Sequence, residues 1–221
     1  MKKSILALSA IASLAFFSCS SDDDNNGGNT TPSVNVISVT GSITGTETWT
    51  SDNIYQLNQK VVVQDGATLT IQPGTIIKGS SGTGSLASAL VVARGGKLMA
   101  EGTASQPIIM TSASDDITVG QTMGTNLDQN DRGLWGGLIV LGKAPCSFSG
   151  DVDAIQIEGI PAEDTWGLYG GSNAADNSGV IKYVSIRHGG ALIGEGNEIN
   201  GLTLGGVGSG TTINHIEVLG N

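Results

Sequence analysis

The feature that most limits the fold of this 221-residue chain is a repeat of short apolar segments spaced near thirty residues apart. Three pairs of segments carry the repeat: 181–187 with 213–219, 66–69 with 95–98, and 137–142 with 201–205. The first pair is offset by 32 residues and the second by 29. The third is offset by 64, which we interpret as two repeats. Propeller blades need roughly forty residues or more, so this spacing favours a coil that adds one strand per turn to each of several parallel sheets.

The segments themselves are typical of strands. They are β-branched and apolar, they are separated by Gly, Asn, Asp and Ser, and no ten-residue stretch after Val34 has a helical apolar stripe. The predicted strands include residues 61–63, 69–71, 75–77, 90–93, 108–111, 138–141, 184–186, 202–204 and 216–218. The sequence therefore predicts an all-β solenoid.

Alternation along the strands predicts which side chains fill the coil. One parity of a strand faces the core and the other faces solvent. The expected inward set is Val184, Ile186, Ile216 and Val218, and the expected outward set is Ser185, Arg187 and Glu217. We expect Arg187 and Glu217 to form an exposed pair between neighbouring turns, worth about 0–1 kcal/mol. Trp135, between glycines and before an apolar strand, is expected in the core.

The N-terminus has the pattern of an export signal. Two lysines at positions 2 and 3 precede an apolar run over 5–17, which is shorter than the roughly 20 residues of a membrane span. Ser18 and Cys19 end this run and resemble a lipobox, in which cleavage after the small residue leaves the cysteine to be acylated. We interpret residues 1–18 as a lipoprotein signal peptide. An ordinary secretory signal with an incidental cysteine is the alternative.

A polar segment over residues 19–33 follows the lipid cysteine. It is acidic and Gly- and Asn-rich, which is typical of a flexible tether that buries no core. The segment begins with Ser20, Ser21, Asp22, Asp23 and Asp24. This beginning resembles the surface-export signal of Bacteroidota lipoproteins, so we expect an outer-membrane protein that faces the cell exterior. A plain periplasmic tether is the alternative.

The charge of the chain bears on its partners. The full sequence has a net charge of −10, and removal of residues 1–18 takes away two lysines to leave −12. A surface this acidic repels phosphate backbones, so nucleic acid is not an expected partner. Cys146 is the one cysteine left after acylation, which excludes a disulfide within the chain, and we expect it to be a buried or half-buried filler.

Four blocks together resemble a large family of Bacteroidota β-helix lipoproteins and secreted surface proteins. The blocks are TWTSDN at 48–53, GATLTIQPGTIIKG at 66–79, WGGLIVLGKAP at 135–145 and EINGLTLGGVG at 198–208. The resemblance implies a right-handed parallel β-helix similar to the pectin-lyase fold, over residues 34–221, and it implies no activity. Members of that family continue beyond the point that corresponds to Asn221, and no capping segment follows the last strand, so we interpret the sequence as an N-terminal fragment.

Candidate site residues fall mainly in one Gly-rich stretch. Asp151 and Asp153 have alternate spacing that places both carboxylates on one side of an extended segment, and they are a candidate calcium site. With Glu158, Glu163 and Asp164 they are also the best candidates for the two carboxylates of a glycosidase. The alternative is that these acids only solvate the loop. No cofactor is otherwise expected, since no zinc or EF-hand spacing occurs.

Aromatic residues at Trp166 and Tyr169 suggest a ligand site, because such rings can stack on sugars or anchor a partner. They can equally fill a corner of the core. His188 and His215 occupy different repeat positions, where His215 aligns with Tyr183 and His188 with Gly220, so they are expected to be structural.

Two functions are compatible with these patterns. A non-catalytic module that binds a glycan or a surface protein is favoured, because solenoids provide long binding surfaces. A polysaccharide lyase or glycoside hydrolase with a site on the outer face is the alternative, but no charge relay, metal triad or basic companion to the acids is visible in the sequence.

Overall fold

The computed structural model describes residues 34–150, 152–194 and 197–221. In these ranges the chain contains sixteen strands and two single-turn 3-10 helices. The strands are β1 (Asn35–Ile43), β2 (Thr46–Trp49), β3 (Asn53–Val63), β4 (Thr68–Ile71), β5 (Ile76–Gly79), β6 (Ala89–Val92), β7 (Lys97–Glu101), β8 (Ile108–Ser112), β9 (Leu138–Leu141), β10 (Ile155–Gln156), β11 (Leu168–Tyr169), β12 (Gly179–Arg187), β13 (Leu192–Gly194), β14 (Asn197–Glu198), β15 (Leu202–Gly205) and β16 (Thr212–Leu219). The helices are η1 (Gly84–Leu86) and η2 (Thr165–Gly167). No helix in the described ranges is long and apolar enough to span a bilayer.

Twelve of the strands wind into a coil of three parallel sheets. Sheet 1 contains β2, β4, β7 and residues 179–182 and 212–214. Sheet 2 contains residues 35–39 and 53–57, β5, β8 and residues 184–187 and 216–219. Sheet 3 contains residues 41–43 and 60–63, β6, β9 and β15. The chain visits the sheets in the order 1, 2, 3 and then repeats, which is the parallel β-helix that the repeat predicted.

The core is the space between the three sheets, and one side of each strand fills it. Fully buried side chains include Leu69 on sheet 1, Ile77 on sheet 2 and Val92 on sheet 3. The predicted 32-residue register is confirmed, because Val184 pairs with Ile216 and is 1% exposed. Apolar burial of this kind is the main favourable term in folding.

Trp135 is also buried, as predicted, and its indole Nε1 donates a hydrogen bond to the Arg187 carbonyl oxygen at 2.7 Å. The ring packs against Gly79, where an added β-carbon would lie 2.7 Å from Cβ of Trp135. This position therefore needs a glycine. Cys146 is free and half-buried, as expected.

Two long excursions leave the coil. Residues 113–137 connect β8 to β9, and their Ile117 packs on the outer face of sheet 2 against Ile76 and Ile109. Residues 142–178 connect β9 to β12. The second excursion corrects one prediction, because Leu138 and Leu202 pair directly on neighbouring strands. The 64-residue offset is therefore one turn of the coil and not two.

Two members of the predicted outward set lie on the outer side of β12, as predicted, but are not exposed to solvent. Ser185 is 4% exposed and Arg187 is 7% exposed, while Glu217 is exposed as expected. Ser185 accepts a hydrogen bond from Nε of Arg187 at 2.7 Å and donates one to Glu217, and residues of the 113–137 excursion lie beside Arg187. Alternation fixes only which side of the strand a residue occupies, and neighbouring segments decide whether that side is exposed to solvent.

Val218 is also a correction. It was expected to be buried, yet its side chain is 47% exposed. It lies on β16, beside Gly201, where an added β-carbon would be 2.9 Å from a methyl carbon of Val218. Its partner on β12 is Ile186, which is buried in the core, so Val218 lies on the inward side of β16 but is not buried.

Candidate functional site

The excursion over residues 142–178 places the predicted aromatic residues on the outside of sheet 3. Within it, β10 and β11 pair antiparallel, with Ile155 opposite Tyr169, and η2 immediately precedes β11. The hairpin packs its apolar side chains on the outward side chains of β6 and β9. The resulting second cluster contains Val62, Ala89, Val91, Ala93, Ile139, Leu141, Ile160 and Ile199, with Ile157, Trp166 and Tyr169 packed against it.

Trp166 is half-buried and lines a cavity of about 220 Å³. The cavity lies at the turn from sheet 3 to sheet 1, where Gln64, Asp65 and Arg94 follow their strands. Lys143 enters from the corresponding turn after β9, and Thr165 enters from η2. An aromatic wall beside cations and amides is the composition of a polar ligand site with one apolar face.

Two cationic side chains meet in this cavity. Nζ of Lys143 lies 3.2 Å from Oδ1 of Asp65, and the two side chains are 41% and 73% exposed. Such an exposed pair is worth only about 0–1 kcal/mol, so a bound anion can replace Asp65 at little cost. Nη1 of Arg94 donates to the Gly170 carbonyl oxygen at 2.9 Å, which ties the turn to the hairpin. A guanidinium carries five N–H donors, so Arg94 can also hydrogen-bond a ligand.

Tyr169 has a different environment from Trp166. Its ring makes an edge contact with Phe148, with centroids 5.4 Å apart. It also covers Gly205 of β15, where an added β-carbon would lie 2.8 Å from Cγ of the tyrosine. Tyr169 does not line the Trp166 cavity, so the structure separates the two aromatic residues that the sequence grouped.

Sequence reasoning missed the cations because Lys143 and Asp65 are 78 residues apart. A signal was nevertheless present in the 29-residue repeat. Asp65-Gly66 and Arg94-Gly95 occupy equivalent turns, and Gly66 N donates to the Gly95 carbonyl oxygen at 3.1 Å. Alignment of the turns as well as the strands would have placed these charges at one corner of the coil.

The acidic candidates are dispersed in the same excursion. Asp151 lies outside the described residues, Asp153 and Glu163 are exposed, and Asp164 is half-buried. Over residues 34–150, 152–194 and 197–221 no cluster of three or more His, Cys, Asp or Glu side chains is arranged to hold a metal ion. The calcium site predicted at Asp151 and Asp153 stays a prediction.

Asp164 has a basic neighbour that the sequence did not indicate. Burial lowers the pKa of Lys60, and the Asp164 carboxylate acts in the opposite direction. Lys60 Nζ also donates to the Ser85 carbonyl oxygen at 3.1 Å. The lysine thus ties η1 to β3 through a hydrogen bond.

The histidines are not brought together as a catalytic pair. Nδ1 of His188 lies 2.8 Å from the Asp131 carbonyl oxygen, while the His215 ring stacks on Tyr183, as their alignment suggested. The signal peptide predicted at 1–18, the predicted lipidation site Cys19 and the predicted export residues from Ser20 to Asp24 lie outside the described residues and stay predictions.

Three parallel sheets wound as one coil define the chain as a parallel β-helix. A family model described as a pectate-lyase like beta helix domain matches residues 41–220, and the chain belongs to this family. Comparisons with curated proteins and with solved structures gave no match.

Proposed function

We propose that this protein is a lipid-anchored surface β-helix that binds a glycan without cleaving it, through the Trp166 cavity. The observation that carries the proposal is that Trp166, Lys143 and Arg94 line one cavity of about 220 Å³. A sugar ring presents C–H groups that pack on an aromatic face. Its acidic substituent would bind the two cations through charge-assisted hydrogen bonds. The glycan is therefore one that carries carboxylate or sulfate groups.

The charge distribution supports this ligand class. The chain has a net charge of −10, so most of its surface repels an acidic polymer. The Trp166 cavity has two cations and one carboxylate, Asp65, and is a local exception. An acidic glycan would bind at this point and not along the whole coil.

The lining of the cavity supports binding over hydrolysis. Asp65 is the single carboxylate among the described residues that line it. Most glycoside hydrolases need two carboxylates about 5–10 Å apart across the scissile bond. The enzymatic alternative, a lyase or hydrolase with a site on the outer face, would instead use Asp151 and Asp153 or a basic residue such as Lys143.

Attachment to the outer membrane is the other part of the proposal. It is supported by the lipobox at Cys19 and by the serines and aspartates of residues 20–24. Two or three acyl chains give stable membrane anchoring, and the polar segment to residue 33, whose composition predicts a tether, would link the coil to the lipid. This arrangement is that of the Bacteroidota surface lipoproteins that the sequence resembles.

The test is a glycan array probed with the full chain, followed by calorimetric titration of the glycans that bind. The array includes uronate-bearing, sialylated, sulfated and neutral glycans. Trp166→Ala and Lys143→Ala should each weaken binding of the acidic ligand about tenfold, since each removes one of the contacts described above. Arg132→Ala is the control, because it removes one exposed positive charge from the other excursion.

The same glycans are then assayed for newly formed reducing and unsaturated ends. The proposal expects none. Release of such ends, abolished by Asp153→Asn, would contradict it in favour of the enzyme. If Arg132→Ala weakens binding as much as Lys143→Ala does, the binding depends on overall charge and not on the Trp166 cavity.

A further inference from the structure

A second cleft, of about 200 Å³, lies at the corner between sheet 1 and sheet 2, and it is lined by residues of the last two described turns of the coil and by residues 103–107 of the turn before them. Tyr183 and His215 lie at this corner, and their φ angles are 50° and 53°. Non-glycine residues adopt this left-handed conformation rarely, and it costs on the order of 1 kcal/mol at each position. Their rings stack with centroids 4.3 Å apart and planes 22° apart. The two strained residues thus form an aromatic shelf at the corner of the coil.

A polar floor adjoins the aromatic shelf. Nε of Arg187 donates to Oγ of Ser185 at 2.7 Å, and Ser185 donates to the Glu217 carboxylate. Nη2 of Arg187 lies 3.6 Å from Oε2 of Glu217. The Arg187 side chain is only 8% exposed, while that of Glu217 is 59% exposed. The buried residues therefore hold the carboxylate in place at the edge of the cleft, where it can accept hydrogen bonds from outside.

The charges of the cleft indicate the class of ligand. Arg187 and Glu217 offset each other, so an anion would meet the exposed carboxylate and a cation would meet the guanidinium. A hydroxyl group can donate to Glu217 and accept from Arg187, and adjacent sugar hydroxyls can do both. One face of each ring is occupied by the stack, and Lys182 Nζ lies 5.7 Å from the centroid of the Tyr183 ring, so the exposed His215 ring offers the apolar face to the C–H groups of the same sugar. This pattern fits an uncharged saccharide.

We infer that this cleft is a second binding site, specific for a neutral saccharide unit. The inference goes beyond the proposed function and does not depend on the Trp166 cavity. That cavity lies at the corner between sheet 3 and sheet 1 and has a net positive charge. Glu217 is the single carboxylate among the described residues that line the cleft, so the site binds its ligand and does not hydrolyse it.

The experiment titrates the full chain with neutral glucan, mannan, galactan and xylan oligosaccharides by calorimetry. Glu217→Gln keeps the size of the side chain and loses its charge, so binding should weaken about tenfold. His215→Gly removes a ring of the aromatic shelf and favours the left-handed conformation, so it should weaken binding by a similar factor at an unchanged melting temperature. Trp166→Ala should leave the affinity for the neutral oligosaccharide unchanged.

The following results would contradict the inference. If none of the four neutral oligosaccharides binds, or if Glu217→Gln and His215→Gly bind as wild type does, the inference is wrong. An acidic oligosaccharide that binds more tightly after Glu217→Gln would assign the cleft to anions instead. Because the Trp166 cavity is tested with acidic glycans and its own variants, either site can fail while the other stands.

Discussion

Replacement of Val184 by Asp tests the register of the coil, because Val184 lies in the core between Ile108 and Ile216 on the strands to either side. The wild-type side chain is 1% exposed. Loss of its apolar contacts costs about 1.5–3 kcal/mol. A buried carboxyl group without partners adds about 1–3 kcal/mol even when it is protonated. We therefore expect a loss of about 3–5 kcal/mol, a large part of the roughly 5–15 kcal/mol that stabilises an ordinary domain.

The loss should also depend on pH. Burial raises the pKa of the new carboxyl group in the folded state above its value of about 3.9 in the unfolded chain. Below this value the group is protonated in both states, and the deficit relative to wild type is smallest. As pH rises above about 4, the unfolded chain releases the proton first, so the deficit grows towards pH 7.

The measurement is urea denaturation of the full chain at pH 4 and pH 7, monitored by circular dichroism. The control is Thr212→Asp, which introduces the same group at an exposed position of β16 and should change the free energy of unfolding by less than about 0.5 kcal/mol. A Val184→Asp variant as stable as the control, or a deficit that shrinks as pH rises, would refute the inward assignment of Val184.

Further predictions concern the anchor, the export signal, the core and one loop. Cys19→Ala should abolish incorporation of labelled palmitate and move the protein from the membrane pellet to the supernatant, and a variant that stays in the pellet with wild type unlabelled would contradict acylation. Replacement of residues 22–24 by alanine should keep the lipid but protect the protein from protease added to intact cells, whereas equal cleavage of both proteins would make the segment a plain tether. Gly79→Ala should lower stability by about 1–3 kcal/mol in urea, since the added β-carbon meets a buried indole ring, and an unchanged midpoint would contradict this packing. Hydrogen bonds from Thr125 lower the pKa of Asp116, so this contribution to stability is present above the unfolded pKa and is lost as pH falls through the folded pKa. The amide proton of Thr125 should therefore titrate in NMR spectra at a pH below the ordinary range for Asp, and this titration should be absent from Asp116→Asn.

The strands and their register could be predicted from the sequence because they follow from local patterns. A period of two identifies the inward side of each strand, and segments with the same apolar pattern, such as 181–187 and 213–219, stack to pair their backbones. The 64-residue offset was misread because residues 142–178 leave the coil without ending the turn. The length of the segment between two strands does not show whether that segment is an excursion or another turn of the coil.

The candidate sites could be predicted only in part. Trp166 was found because aromatic residues are rare in this chain, whereas Lys143 and Arg94 are ordinary surface residues until the turns bring them together. Ser185 and Arg187 were assigned to solvent because alternation carries no information about what covers the outside of a sheet. Such contacts join segments far apart in sequence, as the Trp135 bond to Arg187 across 52 residues illustrates.

The most direct test of the central claim is a crystal structure of the full chain with the acidic oligosaccharide selected on the array. The account predicts an intact oligosaccharide with one sugar ring against the Trp166 indole. Its acidic group should lie within hydrogen-bond distance of Lys143 Nζ or the Arg94 guanidinium. A sugar bound elsewhere with the Trp166 cavity empty, or an oligosaccharide cleaved in the crystal, would contradict it.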